Sequence, residues 1–318
     1  MQIGVVGLGR MGSNISRRLM RNGHRCVVYD RDPAAMADVG NEGAEAAREL
    51  ADLVLRLDAP RTVWIMLPAG GPTESTITLL AALLSPGDVV IDGGNTHFQD
   101  DIRRAQSLAL SKIHYLDVGT SGGIWGLERG YCLMVGGERA VYERVEPIFA
   151  ALAPGGDSGR PAPERGYLYC GPHGAGHFVK MIHNGIEYGL MQAYAEGFDI
   201  LSKANSPELP QNRRYDFDLA SIAEVWRHGS IVSSQLLDVI AKALDDDTSL
   251  ADFTGIVPDT GEGRWTVQTA IERAIPAMAL TTALNARFRS RKQPNYADKL
   301  ISAMRRGFGG HAEPKGKA

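Results

Sequence analysis

The chain has 318 residues, 44% of them hydrophobic and 22% charged, with a formal net charge of -3 at pH 7. That length suits two domains with ordinary buried cores, and the near-neutral balance speaks against a nucleic-acid or membrane-surface partner. Cys26, Cys132 and Cys170 are scattered without metal spacing, which fits small buried hydrophobes in a reducing, cytoplasmic compartment better than a disulfide frame.

The chain opens on a strand, Met1 to Val6, with no signal peptide before it. The strand runs into Gly7-Leu8-Gly9-Arg10-Met11-Gly12, and a helical pattern follows through Asn22. In such a G-x-G-x-x-G the first glycine makes the turn, the second admits a pyrophosphate, and the third lets helix and strand pack closely. The helix N-terminus then offers free N–H groups to the phosphates. A second strand, Arg25 to Asp30, closes the unit. An acid at its end accepts hydrogen bonds from a ribose 2′-hydroxyl and repels a 2′-phosphate, so Asp30 favours NAD. Arg31 leaves NADP as the alternative, because a guanidinium there can hold a 2′-phosphate.

Further strands are expected at Thr62 to Leu67, Asp88 to Asp92, Ile113 to Val118, Tyr131 to Val135 and Tyr167 to Cys170, with a helix at Thr73 to Leu84. This alternation predicts a parallel, doubly wound α/β sheet, with ligands beyond the carboxyl ends of its strands. Three loops then line one crevice: Leu67-Pro68-Ala69 onward, Gly93-Gly94-Asn95-Thr96 and Gly119-Thr120-Ser121-Gly122-Gly123. Asn95 is a candidate contact on the nicotinamide side, because a plain loop needs no Gly-Gly-Asn. Small residues at Ser121 to Gly123 would bring backbone N–H groups and a hydroxyl to an anion. Pro154 to Arg165 reads as surface loop.

From Gly176 the pattern is helical nearly to the end, so a Rossmann domain at 1–172 precedes an all-α domain at 173–318. Helices are expected at 178–204, 217–228, 232–245, 265–274, 276–290 and 296–306, with Pro276 as a first-turn proline and an irregular tail from Gly307. On the first of these, Lys180, His183, Asn184 and Glu187 fall on one face at i, i+3, i+4 and i+7. Phe178, Met181, Ile182, Ile186 and Leu190 fill the rest with apolar surface that calls for burial. A base and an acid on so narrow a polar seam are either a structural pair or an acid/base pair facing a substrate.

Several stretches resemble a family. Asp117 to Gly123, Met134-Val135-Gly136-Gly137 and the Lys180 helix resemble the β-hydroxyacid dehydrogenases, and Lys180 to Tyr188 resembles their decarboxylating 6-phosphogluconate dehydrogenase branch, in its short form. The resemblance implies Lys180 as general base and Glu187 as general acid. It implies Ser121, Gly122, Gly123, His183 and Asn184 as ligands of the sugar-acid end. It implies Tyr188, Arg264 and Thr266 of Gly263-Arg264-Trp265-Thr266, and Arg287, around a phosphate. It also implies a tail residue, His311, that reaches a neighbouring subunit's site. Pro68 and Asp30-Arg31-Asp32 depart from the NADP-using pattern.

The reaction so implied is oxidative decarboxylation of 6-phosphogluconate to ribulose 5-phosphate and CO2, with a nicotinamide cofactor, no metal and a homodimer or homotetramer. The alternatives are a reversible dehydrogenase of a small 3-hydroxy acid such as 3-hydroxyisobutyrate, and a dinucleotide-binding regulator without turnover. Arg264 and Arg287 speak against the former, since a small acid needs no phosphate clamp.

Overall fold

The computed structural model describes residues 1–156 and 159–314. Contacts divide the chain into two compact units, Met1–Met181 and Ile182–Ala318. In chain order the first carries β1 (Gln2–Val6), α1 (Arg10–Arg21), β2 (Arg25–Tyr29), α2 (Pro33–Asn41), β3 (Glu45–Ala46), α3 (Leu50–Leu55), β4 (Thr62–Ile65), α4 (Gly71–Leu83), β5 (Val89–Asp92), α5 (Phe98–Ala109), β6 (His114–Ser121), α6 (Gly126–Arg129), β7 (Cys132–Gly137), α7 (Arg139–Leu152), α8 (Ala162–Arg165) and β8 (Tyr167–Gly171). The sheet order is β3-β2-β1-β4-β5-β6-β7-β8. Order reverses beside β1, which places the Gly7–Gly12 turn at the switch point where such sheets bind ligands. Alternate strand residues feed two cores. Val5, Trp64, Ile91 and Val118 face one layer, and Val27, Val63, Val90 and Tyr115 face the other.

One expectation fails: the sheet is not parallel throughout. β7 runs antiparallel to β6, and β8 is parallel to β7. Only Gly122 to Tyr131 join β6 to β7, too short a connection for a crossover helix to span the sheet. The cysteines also differ from expectation, for only Cys26 is buried, while Cys132 is exposed and Cys170 half-buried. Cys132 begins β7 opposite Ser121, at the strand end where loops gather. The loop expected at 154–165 contains α8, and its Asp157 and Ser158 lie outside the described residues.

The division between these units falls inside α9 (Ala175–Ser202), whose first turn packs against the sheet. A Cβ on Gly176 would lie 2.4 Å from the Met134 carbonyl oxygen and 2.5 Å from that of Asp117. His177 is buried, and its Nδ1 lies 2.8 Å from Asp101 Oδ2. Asp101 also accepts from the Tyr115 hydroxyl at 2.8 Å. Arg104 Nη1 donates to Asp92 at 3.2 Å. Burial opposes charge on His177, but the Asp101 carboxylate outweighs it and raises the imidazole pKa to about 10. Burial likewise pushes Asp101 up to about 6, against the pull of His177. Between those values the pair is ionised.

The second unit adds α10 (Leu219–Arg227), α11 (Gln235–Asp246), α12 (Glu262–Glu272), α13 (Met278–Ser290) and α14 (Tyr296–Gly309). Its core gathers Met191, Phe198, Leu237, Ile240, Leu284, Leu300 and Met304. Pro276 precedes α13 rather than opening it. Ala274, at φ 53, ends α12, and Ile275 N donates back to Ala270 O at 2.8 Å. The tail expected from Gly307 is helical to Gly309, because a Cβ on Gly307 would lie 2.2 Å from Val239 Cγ1 and α14 therefore packs tightly on α11. Beyond it Glu313 accepts from Thr254 N at 2.8 Å and Gly255 N at 2.9 Å, while residues 315–318 lie outside the described residues. The apolar surface of α9 is not all buried, since Val179, Ile186, Leu190 and Ile200 stand exposed. Among the described residues no helix is long and apolar enough to cross a membrane.

The His177–Asp101 pair yields a test. The folded state holds the imidazole proton above its ordinary value, so the pair contributes fully near pH 6 to 6.5, once Asp101 is ionised, and its contribution is lost as pH climbs from there through about 10. His177→Leu leaves Asp101 uncompensated and should cost about 3–5 kcal/mol at neutral pH. Urea unfolding of both proteins between pH 6 and 10 should show wild type losing part of its advantage as pH rises. A constant difference would refute the pairing.

Candidate active site

In the first unit, β1 is followed by Gly7, whose φ is 94 and whose Cβ would lie 2.4 Å from the Met66 carbonyl oxygen. A Cβ on Gly12 would lie 1.8 Å from Gly7 O, so α1 packs directly on the turn. A Cβ on Gly9 would meet nothing within 4 Å. Gly9 is the N-cap of α1 and supplies no capping side chain. An open space thus faces a helix N-terminus, which fits a dinucleotide pyrophosphate. Arg10 is exposed and Met11 half-buried beside it.

Asp30 Oδ2 accepts from Leu8 N at 2.6 Å, and Oδ1 accepts from Asp32 N at 2.9 Å. The N-cap of α2 is Asp32, which accepts from Ala34 N, so Asp30 is left bracing the glycine turn. Arg31 is exposed. Leu67 is half-buried, and Pro68 and Ala69 are exposed after β4. A Cβ on Gly94 would lie 2.7 Å from Leu67 O, which draws the Asn95 loop against the Leu67 loop. A Cβ on Gly93 would lie 2.5 Å from the Trp64 ring. Packing therefore accounts for both glycines, and Asn95 stands exposed on a loop they fix.

Ser121 ends β6, followed by Gly122 at φ 134 and Gly123 at φ 55, all half-buried. Lys180 is 7% exposed. A Cβ on Gly119 would lie 2.4 Å from Lys180 Cβ, so the stem of the lysine rests on strand backbone. Partial desolvation raises the pKa of the Cys132 thiol, although the residue keeps an exposed face, and the Lys180 charge opposes that rise.

The second unit carries the other residues of the seam. Asn184 is buried, and His183 Nδ1 lies 3.1 Å from its Oδ1. His183 Nδ1 is 3.9 Å from Glu187 Oε2. Tyr188 is buried, and its hydroxyl accepts from Thr260 N at 3.4 Å. The Arg287 guanidinium sits 3.2 Å from the centre of the Tyr188 ring. Arg287 is 3% exposed, its Nη1 donates to Pro258 O at 3.3 Å, and its Nη2 is buried without a hydrogen-bond partner among the described residues. Burial lowers its pKa to about 10, with Tyr188 and Glu187 pulling the other way, so it stays charged at neutral pH. Arg264 is engaged with Asp259, at 2.6 Å from Nε and 3.1 Å from Nη2, and lies over the Phe288 ring. Arg291 shares that carboxylate. Thr266 Oγ1 donates to Glu262 O at 2.8 Å, and His311 is exposed on the tail.

Two buried residues were not foreseen. Arg305 on α14 is 5% exposed, and its charge couples to Tyr188, Glu262 and Glu187. Glu262 is 3% exposed and accepts from Thr260 Oγ1 at 2.5 Å. Arg305 lies four residues after Ile301, on the apolar face of its helix, and that placement was the available signal.

Residues 2–160 match the NAD binding domain of 6-phosphogluconate dehydrogenase. Residues 176–211 and 207–312 match the 6-phosphogluconate dehydrogenase C-terminal domain. The chain belongs to the 6-phosphogluconate dehydrogenase family. It is 41% identical over 312 residues to a Haloferax volcanii protein named 6-phosphogluconate dehydrogenase, NAD(+)-dependent, decarboxylating, covering 98% of each. It is 38% identical to the Bacillus subtilis protein of the same name, over 91% of this chain and 61% of that one. Plasmodium falciparum 6-phosphogluconate dehydrogenase, solved in apo form and with NADP+ and 6-phosphogluconate, superposes with a TM-score of 0.78 at 29% identity, over 92% of this chain and 62% of that one. The family's longer members thus extend beyond what this chain spans.

The contact under Lys180 can be tested directly. Gly119→Ala inserts a methyl group into the strand–helix contact and should cost about 1–3 kcal/mol. Chemical denaturation measures the cost, and a crystal structure should show the Lys180 stem displaced. Unchanged stability and an unmoved lysine would contradict so close a contact.

Proposed function

We propose that this chain oxidatively decarboxylates 6-phosphogluconate to ribulose 5-phosphate and CO2, with NAD as the preferred cofactor. The observation that carries the substrate is Arg287, a buried guanidinium with an unused Nη2 donor beside Glu187 and Tyr188. A buried cation with a spare donor calls for an anion. Tyr188 offers a hydroxyl and Arg305 a second buried charge. Arg264 and Thr266 belong to the same phosphate end, with Asp259 holding the Arg264 fork in reserve. Likeness to full-length relatives named for this reaction supports the reading.

On the cofactor side, Gly7 to Gly12 would hold the pyrophosphate at the start of α1, with Leu67, Pro68, Ala69 and Asn95 along the neighbouring loops. Asp30 would take the ribose hydroxyls and Arg31 would lie outside them. A 2′-phosphate would face the Asp30 carboxylate, which is the physical ground for NAD over NADP. When bound, the nicotinamide accepts the hydride from the substrate's secondary alcohol.

Lys180, neutral at that moment, takes the hydroxyl proton as the C–H electron pair leaves. The ketone so formed is β to the carboxylate. Protonated Lys180 then donates a hydrogen bond to the ketone oxygen, the C–C pair moves into a new C=C bond as the carbonyl pair shifts onto that oxygen, CO2 departs, and an enediolate held by the Lys180 ammonium remains. Glu187, protonated, delivers the proton to carbon that completes the ketose. Ser121, Gly122, Gly123, His183 and Asn184 hold the carboxylate and hydroxyl end. We also assign the exposed apolar residues of α9 to a homodimer contact, with His311 near a neighbouring subunit.

With 6-phosphogluconate, NAD should support a kcat/KM at least about tenfold above that with NADP, given the cost of a phosphate against a carboxylate. One CO2 should appear per NADH. Arg287→Met should raise KM for 6-phosphogluconate about tenfold to a hundredfold and leave weak turnover of unphosphorylated gluconate unchanged. Reduction of NAD without CO2 release would remove the decarboxylase reading.

Lys180→Met and Glu187→Gln should each lower kcat by about two to four orders of magnitude. The first should suppress hydride transfer in stopped flow. The second should leave a burst of NADH intact while slowing ketose release. Near-normal turnover in either variant would unseat that residue.

A further inference from the structure

Asp117 lies on β6, two residues before Gly119, so both side-chain positions face the same side of the strand. It is fully buried. Its Oδ1 accepts from Gly174 N at 2.7 Å and its Oδ2 from His177 N at 3.0 Å. Those two N–H groups bracket the start of α9, just before Ala175 and at its third residue. A helix start leaves four N–H groups without intrahelical partners, and a side chain at the N-cap usually serves one of them. Gly174 has no side chain to offer, and its φ of 86 suits glycine. The cap comes instead from a strand 57 residues earlier in the chain.

The same face of β6 therefore makes two contacts with one helical turn. Asp117 fixes its N–H groups, and Gly119 supports the stem of Lys180. Gly136 on β7 leaves the room, since a Cβ there would lie 2.6 Å from both Asp117 oxygens. Nearby, Asp92, Asp101 and His177 place ligand atoms within 4.8 Å of one another, as a metal site would. Arg104 Nη1 already stands 3.2 Å from Asp92 and 3.9 Å from Asp101. A guanidinium there repels a divalent cation, and the trio serves instead as a second ionic hold on the same turn.

We infer that Asp117 is a positioning residue for Lys180: its carboxylate caps α9 from outside the helix and sets the rotation and depth at which the lysine enters the site. This rests on the reading of Lys180 as the base. A carboxylate is required because two N–H donors need two acceptors, and negative charge suits a helix N-terminus. Asparagine keeps the shape but turns one acceptor into a donor facing a donor.

Asp117→Asn in the full-length protein should fold, judged by its elution volume and circular dichroism. Its kcat with 6-phosphogluconate and NAD should fall about a hundredfold, as expected for a misplaced catalytic group, with both KM values changed by less than about threefold. The primary deuterium isotope effect on kcat, with substrate deuterated at the oxidised carbon, should rise as hydride transfer becomes limiting. A merely structural role would lower the melting temperature without that split, and a folded variant with near-normal kcat overturns the inference. If the variant does not fold, hydrogen exchange on the wild type decides. Gly174 and His177 amides as protected as those of β6 support the cap; exchange at loop rates overturns it. Lys180→Met, run alongside, separates the two claims. Its inactivity beside an active Asp117→Asn removes the positioning role alone, whereas its near-normal turnover removes the base reading on which the role rests.

Discussion

The approach of the first turn of α9 to the backbone of β6 and β7 governs what the rest of the structure can do. Gly119, Gly136 and Gly176 sit at that contact, and a Cβ on any of them would fall between 2.4 and 2.9 Å from a neighbouring atom. Native interiors have no slack to absorb such overlaps. Glycine at these places is a condition for helix and sheet to meet at all. Lys180 emerges one turn later, with its stem against Gly119 and its amine within electrostatic reach of Cys132.

Charge in the interior follows one rule in both units. An uncompensated buried ion is expensive, so each is surrounded by partners. In the first unit Asp101, Asp92 and Asp117 are met by His177, Arg104, Tyr115 and helix N–H groups. In the second, Asp259 and Asp298 are met by Arg264, Arg291 and Arg289. Arg287 carries one buried nitrogen that no described residue bonds, as do His177 at Nε2 and Arg165 at Nε.

Local features of the fold could be read from the chain. The Gly7–Gly12 turn has its strand and helix within a few residues on either side, and the helical face of Lys180, Asn184 and Glu187 follows from spacing alone. Non-local features could not. The antiparallel β7 depends on how far Gly122 to Tyr131 can reach, and the cap on α9 comes from a carboxylate far back in the sequence. Asn95 was favoured because its glycines looked superfluous, yet the Trp64 ring and the Leu67 carbonyl demand them. Arg305 was not foreseen; a basic residue near a helix end usually faces water, whereas this one lies on the buried side of α14.

The same distinction sharpens how a functional residue is recognised. Gly7 and Gly12 would be glycines in any protein with this strand–turn–helix geometry, since Met66 and Gly7 carbonyls crowd them. Gly9 is different, for none of the described residues opposes a side chain there. A larger residue at Gly9 would cost the fold little and would obstruct only what comes to the start of α1. Gly9 and Arg287 are thus alike: the fold alone explains neither the missing side chain of one nor the missing partner of the other. On the function proposed above, phosphate would account for both, a pyrophosphate at the first and a sugar phosphate at the second.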